Sequence, residues 1–550
     1  MIGRPWPDLL LGRQCPAGFT AYYTEHLPSE VKIAARRIAS VNPATLEALQ
    51  EFDCADEPQV HTAVKRARLA QEDWERLGVG WRVQILRRFQ KLLHRRKSEV
   101  ARVITRESGK PYVEALLTEV LVVLDAVRFC AENSYAFMRS EAVPHGNLAM
   151  KAKHGQIIRE PHGVLGIISP WNYPFAIPAT ESLAALACGN AVVLKPSELT
   201  SMSALELQSL FREAGVPGDV FRVVVGDGIT GGALVSSELD KLIFTGSVAS
   251  GKRVAQTAAS RLLPVVLELG GKDPMLVLDD ASVEIASSAA VWGAFVNAGQ
   301  ACLSVERCYV HRSVYEKFLE ACVAKTRKLR VGNGLDPEID IGPMIHSRQL
   351  QIVEAHVADA AEKGARVLVG GSRLPQLGPN FYAPTVIGDV NHNMRLMREE
   401  TFGPVLPVMP FDTDDDAVDL ANDSEFGLAA SIWTTNAGRG RALAARLHTG
   451  TVMVNDVISC FGISEAPHGG VKSSGWGRTH GRAGLEEMVR LKYVDCDRLP
   501  GVRKVWWFGY GESFSRQMEG FVDFLFVRGW LARIRGAIHS VKAYWRKGWL

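Results

Sequence analysis

Val164-Leu-Gly-Ile-Ile-Ser169 is the first of four short apolar runs that follow one another along the chain, each bounded by turn residues. The other three are Ala191-Val-Val-Leu194, Phe221-Arg-Val-Val-Val225 and Leu242-Ile-Phe244. Runs of this length and composition are typical of buried strands. Stretches of helical composition lie between several of them, at residues 182–187 and 203–214. This alternation predicts an α/β fold with a parallel, doubly wound sheet.

The sequence on either side extends the pattern. Residues 58–133 have apolar positions spaced by three and four, which predicts helices. A second strand–helix series begins near Leu267. Its predicted strands are 275–278, 308–310, 366–369 and 451–455. Two α/β domains in series would form a cleft, where a cofactor bound to one domain can meet a nucleophile of the other.

The composition excludes several classes of protein. The chain has 550 residues and a formal net charge of +3, and 47% of its residues are hydrophobic. These values are ordinary for a globular protein and indicate no nucleic-acid partner. The nine cysteines include no C-x-x-C pair, which argues against a disulfide framework and predicts no bound metal. Neither a signal peptide nor an apolar run of about 18 residues is found, so we expect a cytoplasmic protein.

Two glycine-containing stretches are candidates for binding phosphate. Gly226-Asp-Gly-Ile-Thr-Gly231 follows a predicted strand and fits G-x-G-x-x-G, although a single match is weak evidence in a chain with 50 glycines. Phe244-Thr-Gly-Ser247 closes a strand and opens a predicted helix, so its amides and the serine hydroxyl would face an anion. An N-cap followed by an ordinary helix also explains the second stretch.

Cys302 is a candidate nucleophile. It lies in Asn297-Ala-Gly-Gln-Ala-Cys302, where small residues would let the backbone approach a ligand. A thiol reacts as the thiolate, and its reference pKa of about 8.5 leaves little thiolate at neutral pH, so a nearby base is required. The local sequence also fits a buried cysteine that acts as a small hydrophobic residue.

Several short motifs occur in a fixed order between residues 40 and 495. They are Asn42-Pro-Ala-Thr45, Pro170-Trp-Asn-Tyr-Pro174, Leu194-Lys-Pro-Ser-Glu198, Phe244-Thr-Gly-Ser247, Leu267-Glu-Leu-Gly-Gly-Lys272, Gly299-Gln-Ala-Cys302, Glu400-Thr-Phe-Gly-Pro404 and Gly469-Gly-Val-Lys-Ser-Ser-Gly-Trp-Gly-Arg478. Together they resemble the aldehyde dehydrogenase superfamily. The resemblance implies NAD(P)-dependent oxidation of an aldehyde to a carboxylic acid.

The resemblance assigns three catalytic roles. Cys302 matches the nucleophile, which forms a thiohemiacetal and then a thioester. Asn172 matches the side-chain donor to the oxyanion, with the backbone N–H of Cys302 as the second donor. Glu268 matches the general base that activates water, and this base can also deprotonate the thiol. Taken singly, Asn172 could be a turn residue and Glu268 a structural carboxylate.

The resemblance also assigns the cofactor site. Its positions are Trp171, Lys195, Glu198, Gly246, Ser247, Glu400 and Phe402. Lys195 and Glu198 match the contacts to the adenosine ribose, and the G-x-G-x-x-G at Gly226 is then not the phosphate site. Because Glu198 stands where a 2′-phosphate would lie, repulsion favours NAD over NADP, and the use of NADP stays open.

The resemblance divides the chain into two doubly wound α/β domains and a small β oligomerisation element. The predicted segments are an irregular lead-in (1–39), an NAD-binding domain (40–267), a catalytic domain (268–475), a return segment (476–499) and a tail (500–550). Strands near 150–160 and 488–495 would form the oligomerisation element. A homodimer or homotetramer is expected.

Two features concern the substrate. The segment Phe175-Ala-Ile-Pro-Ala-Thr-Glu-Ser182 has no cation, whereas family members that act on dicarboxylic semialdehydes usually carry an arginine there. An uncharged, apolar aldehyde is therefore expected, with Tyr173 and Phe461 as candidate tunnel residues.

Two alternative functions stay open. One is a coenzyme A-acylating dehydrogenase, against which Glu268 counts. The other is a non-catalytic membrane-associated scaffold, against which the intact site counts.

The tail has an amphipathic pattern. Its apolar residues recur at spacings of three and four: Phe524, Val527, Leu531, Ile534, Ile538, Val541 and Trp545. This predicts a continuous apolar stripe along one helix. Six cations accompany the stripe, and Asp523 is the only acid from Phe521 onward. Residues 521–550 therefore predict either a helix that lies on a membrane surface or one that docks on the protein itself.

Overall fold

The computed structural model describes residues 36–147, 150–502, 504, 506–527, 529–531, 533–534 and 536–538. The first described elements are a hairpin and a helical layer. The strands are β1 (Arg37–Val41) and β2 (Ala48–Asp53), and the helices are α1 (Glu57–Arg76), α2 (Gly78–Ser108), α3 (Tyr112–Glu114), a π-helical turn (Ala115–Val120) and α4 (Leu121–Met138). Helix α1 begins at a capping box, in which Asp56 and Gln59 each accept a hydrogen bond from the other's backbone N–H.

The first sheet has six strands in the order β17-β9-β8-β5-β6-β7. Strand β17 (Gly475–Trp476) comes from near the end of the described chain. Its parallel strands and intervening helices are β5 (Val164–Ile168), α5 (Ala176–Cys188), β6 (Ala191–Lys195), α6 (Ser201–Ala214), β7 (Phe221–Val223), α7 (Gly228–Ser236), β8 (Lys241–Thr245), α8 (Val248–Ala259) and β9 (Val265–Glu268). The four predicted strands are all present and parallel. The order reverses beside β5, which is the feature of a doubly wound sheet.

The second sheet has seven strands in the order β12-β13-β14-β11-β10-β15-β16. Its elements are β10 (Asp273–Val277), α9 (Val283–Phe295), β11 (Val305–His311), α10 (Tyr315–Thr326), α11 (Ser347–Glu362), β12 (Arg366–Val369), β13 (Thr385–Gly388), α12 (Arg395–Arg398), β14 (Val405–Phe411), α13 (Asp414–Asn422), β15 (Ala429–Trp433), α14 (Ala437–Ala444) and β16 (Thr451–Val454). All neighbours are parallel except β12 and β13. The prediction of two α/β sheets is confirmed.

The chain then returns to the first sheet and to a small third one. Strand β17 (Gly475–Trp476) pairs with β9, and helix α15 (Gly481–Glu486) follows it. The third sheet has the order β18-β4-β3 and contains β3 (Glu141–Val143), β4 (Lys153–Pro161) and β18 (Val489–Asp497). Strands β4 and β18 pair along nine positions, so the two segments predicted near 150–160 and 488–495 are joined.

The tail differs from its prediction. Helix α16 (Glu512–Phe526) ends where Val527 becomes extended, and Gly529 has a φ of +129°. The chain then turns back, because a Cβ on Gly536 would lie 2.4 Å from the carbonyl oxygen of Gly520. The predicted single continuous stripe is therefore wrong: a break separates Phe524 from Leu531 and the residues that follow. Val541 and Trp545 lie outside the described residues. No described helix is long and apolar enough to span a membrane.

Candidate active site

The functional positions meet because parallel strands end at the same edge of a sheet. Asn172 follows β5, Ser247 follows β8, and Glu268 is the last residue of β9. Cys302 precedes β11 of the second sheet and faces this edge across the cleft between the sheets. Residues that are distant in the sequence thus line one cavity of about 290 Å³.

The turn before Cys302 has an unusual backbone. Asn297 and Ala298 have φ values of 52° and 54°, and Gly299 has a φ of 72°. Left-handed conformations cost a non-glycine residue about 1–2 kcal/mol each. Gly299 is required for a second reason, since a Cβ there would lie 2.1 Å from the carbonyl oxygen of Gly403. This close approach explains the small residues around Cys302.

Buried hydrogen bonds hold the strained turn in place. The Asn297 backbone N–H donates to Glu114 at 2.9 Å, and the Asn297 side chain donates to the carbonyl of Asn172 at 3.0 Å. The Gln300 side chain donates to the carbonyl of Asn297 at 2.9 Å and accepts from the N–H of Ile345 at 2.8 Å. The position of Cys302 is therefore fixed by contacts from both sides of the cleft.

Cys302 lies where two cavities meet. One is the cavity between the sheets, and the other is a second cavity of about 300 Å³ on the far side of the thiol. The Cys302 side chain is half-buried. Burial raises the pKa of the Cys302 thiol, and the neighbouring carboxylates Asp273, Glu400 and Glu268 add to the effect. The thiolate therefore requires a base when it forms.

Glu268 has the environment of such a base. Its carboxylate is buried, and neither oxygen has a hydrogen-bond partner among the described residues. Burial and then the charge of Glu181 raise the pKa of Glu268 well above its ordinary value, which Arg478 partly opposes. His468 lies beside it, with Nε2 3.9 Å from Oε2 of Glu268. An unsolvated carboxylate of this kind can take a proton from a thiol or a water molecule.

Asn172 is oriented by its own hydrogen bonds. Its Nδ2 donates to the carbonyl of Gln300 at 3.2 Å, and its carbonyl accepts from Nζ of Lys110 at 2.8 Å. Lys110 also forms a fully buried ion pair with Glu119 at 2.6 Å. Glu119 in turn accepts from the backbone N–H groups of Phe175 and Ala176, at the start of α5. The amide donor therefore points into the cavity from a rigid support.

The cavity between the sheets has the features of a dinucleotide site. Ser247 caps α8 and lines the cavity, and the N-terminal end of a helix attracts phosphate. Trp171 and Phe402 meet edge to face with ring centroids 5.3 Å apart. A Cβ on Gly246 would lie 2.8 Å from the Phe244 ring, so this strand end, which lines the cavity, requires glycine. The donor set fits a nicotinamide dinucleotide.

Glu400 lines the same cavity from the side of the second sheet. Its Oε1 accepts from the N–H of Gly271 at 2.9 Å, and burial, with the charge of Glu306, raises its pKa to about 7. Glu306 accepts from the backbone N–H groups of Thr401 and Phe402 at 3.0 and 2.8 Å and pairs with Lys272. These bonds fix the loop that carries Glu400.

Lys195 and Glu198 are placed together at the end of β6, with Nζ and Oε2 3.4 Å apart. The loop that contains Gly226 is instead held by contacts within the protein. Asp227 caps α7 through the N–H groups of Ile229 and Thr230 and also pairs with Arg36. These contacts agree with the expectation that this G-x-G-x-x-G is not a phosphate site.

The amino-acid sequence matches a known protein family. The family model described as "Aldehyde dehydrogenase family" matches residues 31–494. The chain belongs to the aldehyde dehydrogenase family. It is an NAD(P)-dependent oxidoreductase that oxidises an aldehyde to the acid.

Relatives and solved structures agree on the family. The 4,4'-diapolycopene aldehyde oxidase of Methylomonas sp is 40% identical over 89% of this chain and 91% of that protein. The mitochondrial succinate-semialdehyde dehydrogenase of Oryza sativa subsp. japonica is 38% identical over 83% and 86%. The NAD-dependent aldehyde dehydrogenase of Sinorhizobium meliloti has a TM-score of 0.82 and 36% identity over 86% and 93%, and an E. coli NADP dependent enzyme has a TM-score of 0.80 and 36% identity over 84% and 95%.

Some functional residues of this aldehyde dehydrogenase were not predicted from its sequence. They are Lys110 and Glu119, which support Asn172, Glu306, which fixes the Glu400 loop, and His468, which lies beside Glu268 without a hydrogen bond to it. One signal was available: Glu306 is a carboxylate inside the buried strand β11, where a charge needs a partner. No cluster suited to a metal occurs in the part of the chain that the structure describes.

Proposed function

We propose that Cys302 is the nucleophile of this aldehyde dehydrogenase. The support is its position where the two cavities meet. The cavity between the sheets can receive the cofactor, and the second cavity can receive the aldehyde. The thiol adds to the aldehyde carbon and its proton passes to Glu268. When bound, the dinucleotide supplies the hydride acceptor that turns the adduct into a thioester.

Asn172 and Glu268 have complementary roles in this proposal. Negative charge develops on the aldehyde oxygen, and the Asn172 amide with the backbone N–H of Cys302 stabilises it. Glu268 releases the thiol proton to solvent and then takes a proton from the water that attacks the thioester. The acid leaves, and Glu268 returns this second proton to the Cys302 thiolate. Such a base favours hydrolysis over transfer to coenzyme A.

The cavity beyond Cys302 supports an apolar substrate. Its lining includes aromatic, aliphatic and small polar side chains but no charged one: Leu117, Thr118, Val122, Tyr173, Ile177, Trp292, Val296, Ala301, Leu303, Ile458, Ser459, Phe461, Gly462 and Ile463. A carboxylate in this cavity would lose its hydration without gaining a cation. We therefore infer an uncharged aldehyde, which agrees with the name of the Methylomonas relative and disagrees with those of the succinate-semialdehyde dehydrogenases.

A panel of aldehydes tests this assignment. We expect NADH formation from long-chain alkyl or polyene aldehydes, with a kcat/KM at least about 100-fold above that for succinic semialdehyde, since an unpaired charge is costly to bury. The panel is run with NAD and with NADP, because Glu198 favours NAD, and with and without coenzyme A. A preference for succinic semialdehyde would reject the apolar assignment. Formation of the acyl-coenzyme A would reject hydrolysis.

We also propose that the enzyme is a homodimer or homotetramer and that β18 contributes to the interface. This strand is the edge of the third sheet. Leu491 and Tyr493 on β18 are exposed, which is unusual for two neighbouring apolar positions on one strand face. Arg490 and Lys492, on the other face, pair with Glu160. Light scattering of the purified protein measures the oligomeric state.

The tail hairpin consists of helix α16 and the described residues between 529 and 538, which turn back along it. It supports association with a membrane surface. Phe526, Trp530 and Leu531 are each more than 60% exposed, and Ile534 and Ile538 are about half exposed. The sequence around them is rich in arginine and lysine and has one acid after Phe521. A surface that is apolar and cationic together binds anionic lipid. We infer that the tail holds the enzyme at the membrane, where apolar aldehydes dissolve.

A further inference from the structure

A group of buried polar atoms lies behind Glu268 and is not used by the steps above. The atoms are both carboxylate oxygens of Glu268, Oε2 of Glu181, Nδ1 of His468 and Nε2 of His480. None has a hydrogen-bond partner within the described part of the chain. Buried polar atoms are almost always paired, so unpaired ones that lie close together indicate a function or a bound water.

Thr245 is bonded to one of the two carboxyl groups and lies next to the other. It lies directly opposite Glu268 in the pairing of β8 with β9, so the two side chains are neighbours on one face of the sheet. The Thr245 hydroxyl donates to Oε1 of Glu181 at 3.2 Å. Glu181 extends toward this point from helix α5. One hydroxyl thus separates the proposed general base from a second buried carboxyl.

A small cavity and two histidines lie beside the two carboxyl groups. Glu181 and His480 both line a cavity of about 20 Å³, which holds about one water molecule. The His480 and His468 rings lie 5.8 Å apart, and His468 reaches Glu268. The two histidines are held in place because His468 and Thr479 exchange backbone hydrogen bonds of 2.7 and 2.8 Å.

The charges around this group do not balance. The groups that face Glu268 are Glu181, Arg478, Glu487, Cys302 and His468, and His480 lies beside His468. The Arg478 guanidinium donates to the carbonyls of Gly470 and Gly477, and Glu487 is paired with Lys241. Burial lowers the pKa of His468 to about 3 and that of His480 to about 4, so both are neutral. The cation that faces Glu268 is therefore also bonded to two carbonyls, while Glu181 and Glu268 are both buried carboxyls.

We propose that Glu181 and Glu268 form a carboxyl pair that shares one proton, connected by Thr245 and by a water in the cavity between Glu181 and His480. Glu181 is a positioning residue in this arrangement, because it acts on the reaction only through Glu268. Like charges at short range prevent both groups from ionising together, and burial already raises the pKa of Glu181 to about 8. The inference rests on the proposed role of Glu268.

The proton balance follows from the sharing. Before water attack the pair carries one proton and one negative charge, and Glu268 must hold the charge to act as a base. When Glu268 takes the proton from water, the pair becomes neutral with two protons. One proton then passes to the Cys302 thiolate, which restores the starting state. The fraction of enzyme with an ionised Glu268 is therefore set by how strongly Glu181 retains the shared proton.

Glu181→Gln tests the pair. Glutamine keeps the acceptor for Thr245 but carries no charge and cannot exchange the proton. The full-length enzyme is acylated with p-nitrophenyl acetate, without cofactor, and release of p-nitrophenolate gives the acylation burst and then the deacylation rate across pH. In the wild type we expect an acid limb that spans two ionisations. In the variant we expect a single ionisation, with its midpoint lower by about one pH unit, because the repelling charge is gone.

Glu487→Gln is the matched control. It also removes a carboxylate that raises the pKa of Glu268, but Glu487 is paired with Lys241 and does not line the cavity. We expect a midpoint within about 0.3 pH unit of the wild type, which is the effect of a screened charge. If Glu181→Gln does not fold, Glu181→Met, which has a similar length and no charge, gives the same shift.

The outcomes separate this inference from the proposed function. An unmoved midpoint with a lower rate at every pH would show a merely structural Glu181 and would overturn the pair. A shift as large in Glu487→Gln would also overturn it. Absence of the acylation burst in the wild type would instead contradict the role of Cys302.

Discussion

Nδ2 of Asn172 donates a hydrogen bond of 3.2 Å to the carbonyl oxygen of Gln300. Asn172 follows a strand of the first sheet, and Gln300 belongs to the turn that carries Cys302 in front of the second sheet. The bond therefore joins the proposed oxyanion donor to the turn of the proposed nucleophile across the cleft. A shift of one side would move both groups, and the buried Lys110–Glu119 pair resists such a shift.

The first prediction concerns this donor. Asn172→Asp retains the shape of the side chain but replaces the N–H donor by an acceptor. We expect kcat to fall about 100- to 1,000-fold, as for the loss of one oxyanion donor. The melting temperature separates this effect from unfolding. Asn172→Gln, which keeps an amide, is the control, and an Asp variant that is as active as the wild type would contradict the role.

The second prediction concerns Glu268. Glu268→Gln removes the base, so thioester hydrolysis should slow and acyl-enzyme should accumulate, as seen by rapid quenching and intact mass measurement. The pre-steady-state NADH burst also falls if Glu268 deprotonates the thiol. Because a carboxylate is a base only above its pKa, and burial raises that pKa, wild-type activity should fall as the pH is lowered. The loss should begin at a higher pH than it would for an exposed glutamate. Unchanged turnover in the variant excludes both roles.

The third prediction concerns the tail hairpin. Full-length protein should sediment with vesicles that contain anionic lipid and should be released as the salt concentration rises, since salt screens the cations. Removal of the residues after Gly511 should abolish sedimentation and leave activity on a water-soluble aldehyde unchanged. The matched variant Leu531→Asp/Ile534→Asp should weaken binding, because it removes exposed apolar surface.

Docking of the tail on the protein predicts other results. Truncation would then lower the melting temperature or change the oligomer. Full-length protein that stays in the supernatant at low salt with anionic lipid would show that the membrane assignment is wrong.

Much of the fold was predictable from the sequence because each of several strands corresponds to one short apolar run. The run at Val164 is apolar over its whole length and becomes a strand with every residue buried. The tail was not predictable in the same way. A spacing of three and four continues through Val527 and Leu531, but Gly529 adopts a positive φ that no periodicity reveals, and the helix breaks.

The site divides along the same line. Cys302, Glu268 and Asn172 lie in short motifs that could be recognised in the sequence. Their supports could not, because each works through contacts between distant positions. Lys110 reaches Asn172 across 62 positions. His468 lies beside Glu268 because the segment that contains it leads into β17, which pairs with β9. A sequence shows which residues carry chemistry more readily than which residues orient them.

The thioester on Cys302 is the central claim, and Cys302→Ala tests it most directly. Aldehyde-dependent NADH formation should be abolished, while binding of NAD, followed by fluorescence, stays close to that of the wild type. In the wild type, quenching during turnover should yield an acyl adduct that peptide mass measurement locates on Cys302. An adduct on another residue, or substantial NADH formation by purified Cys302→Ala protein, would contradict the account.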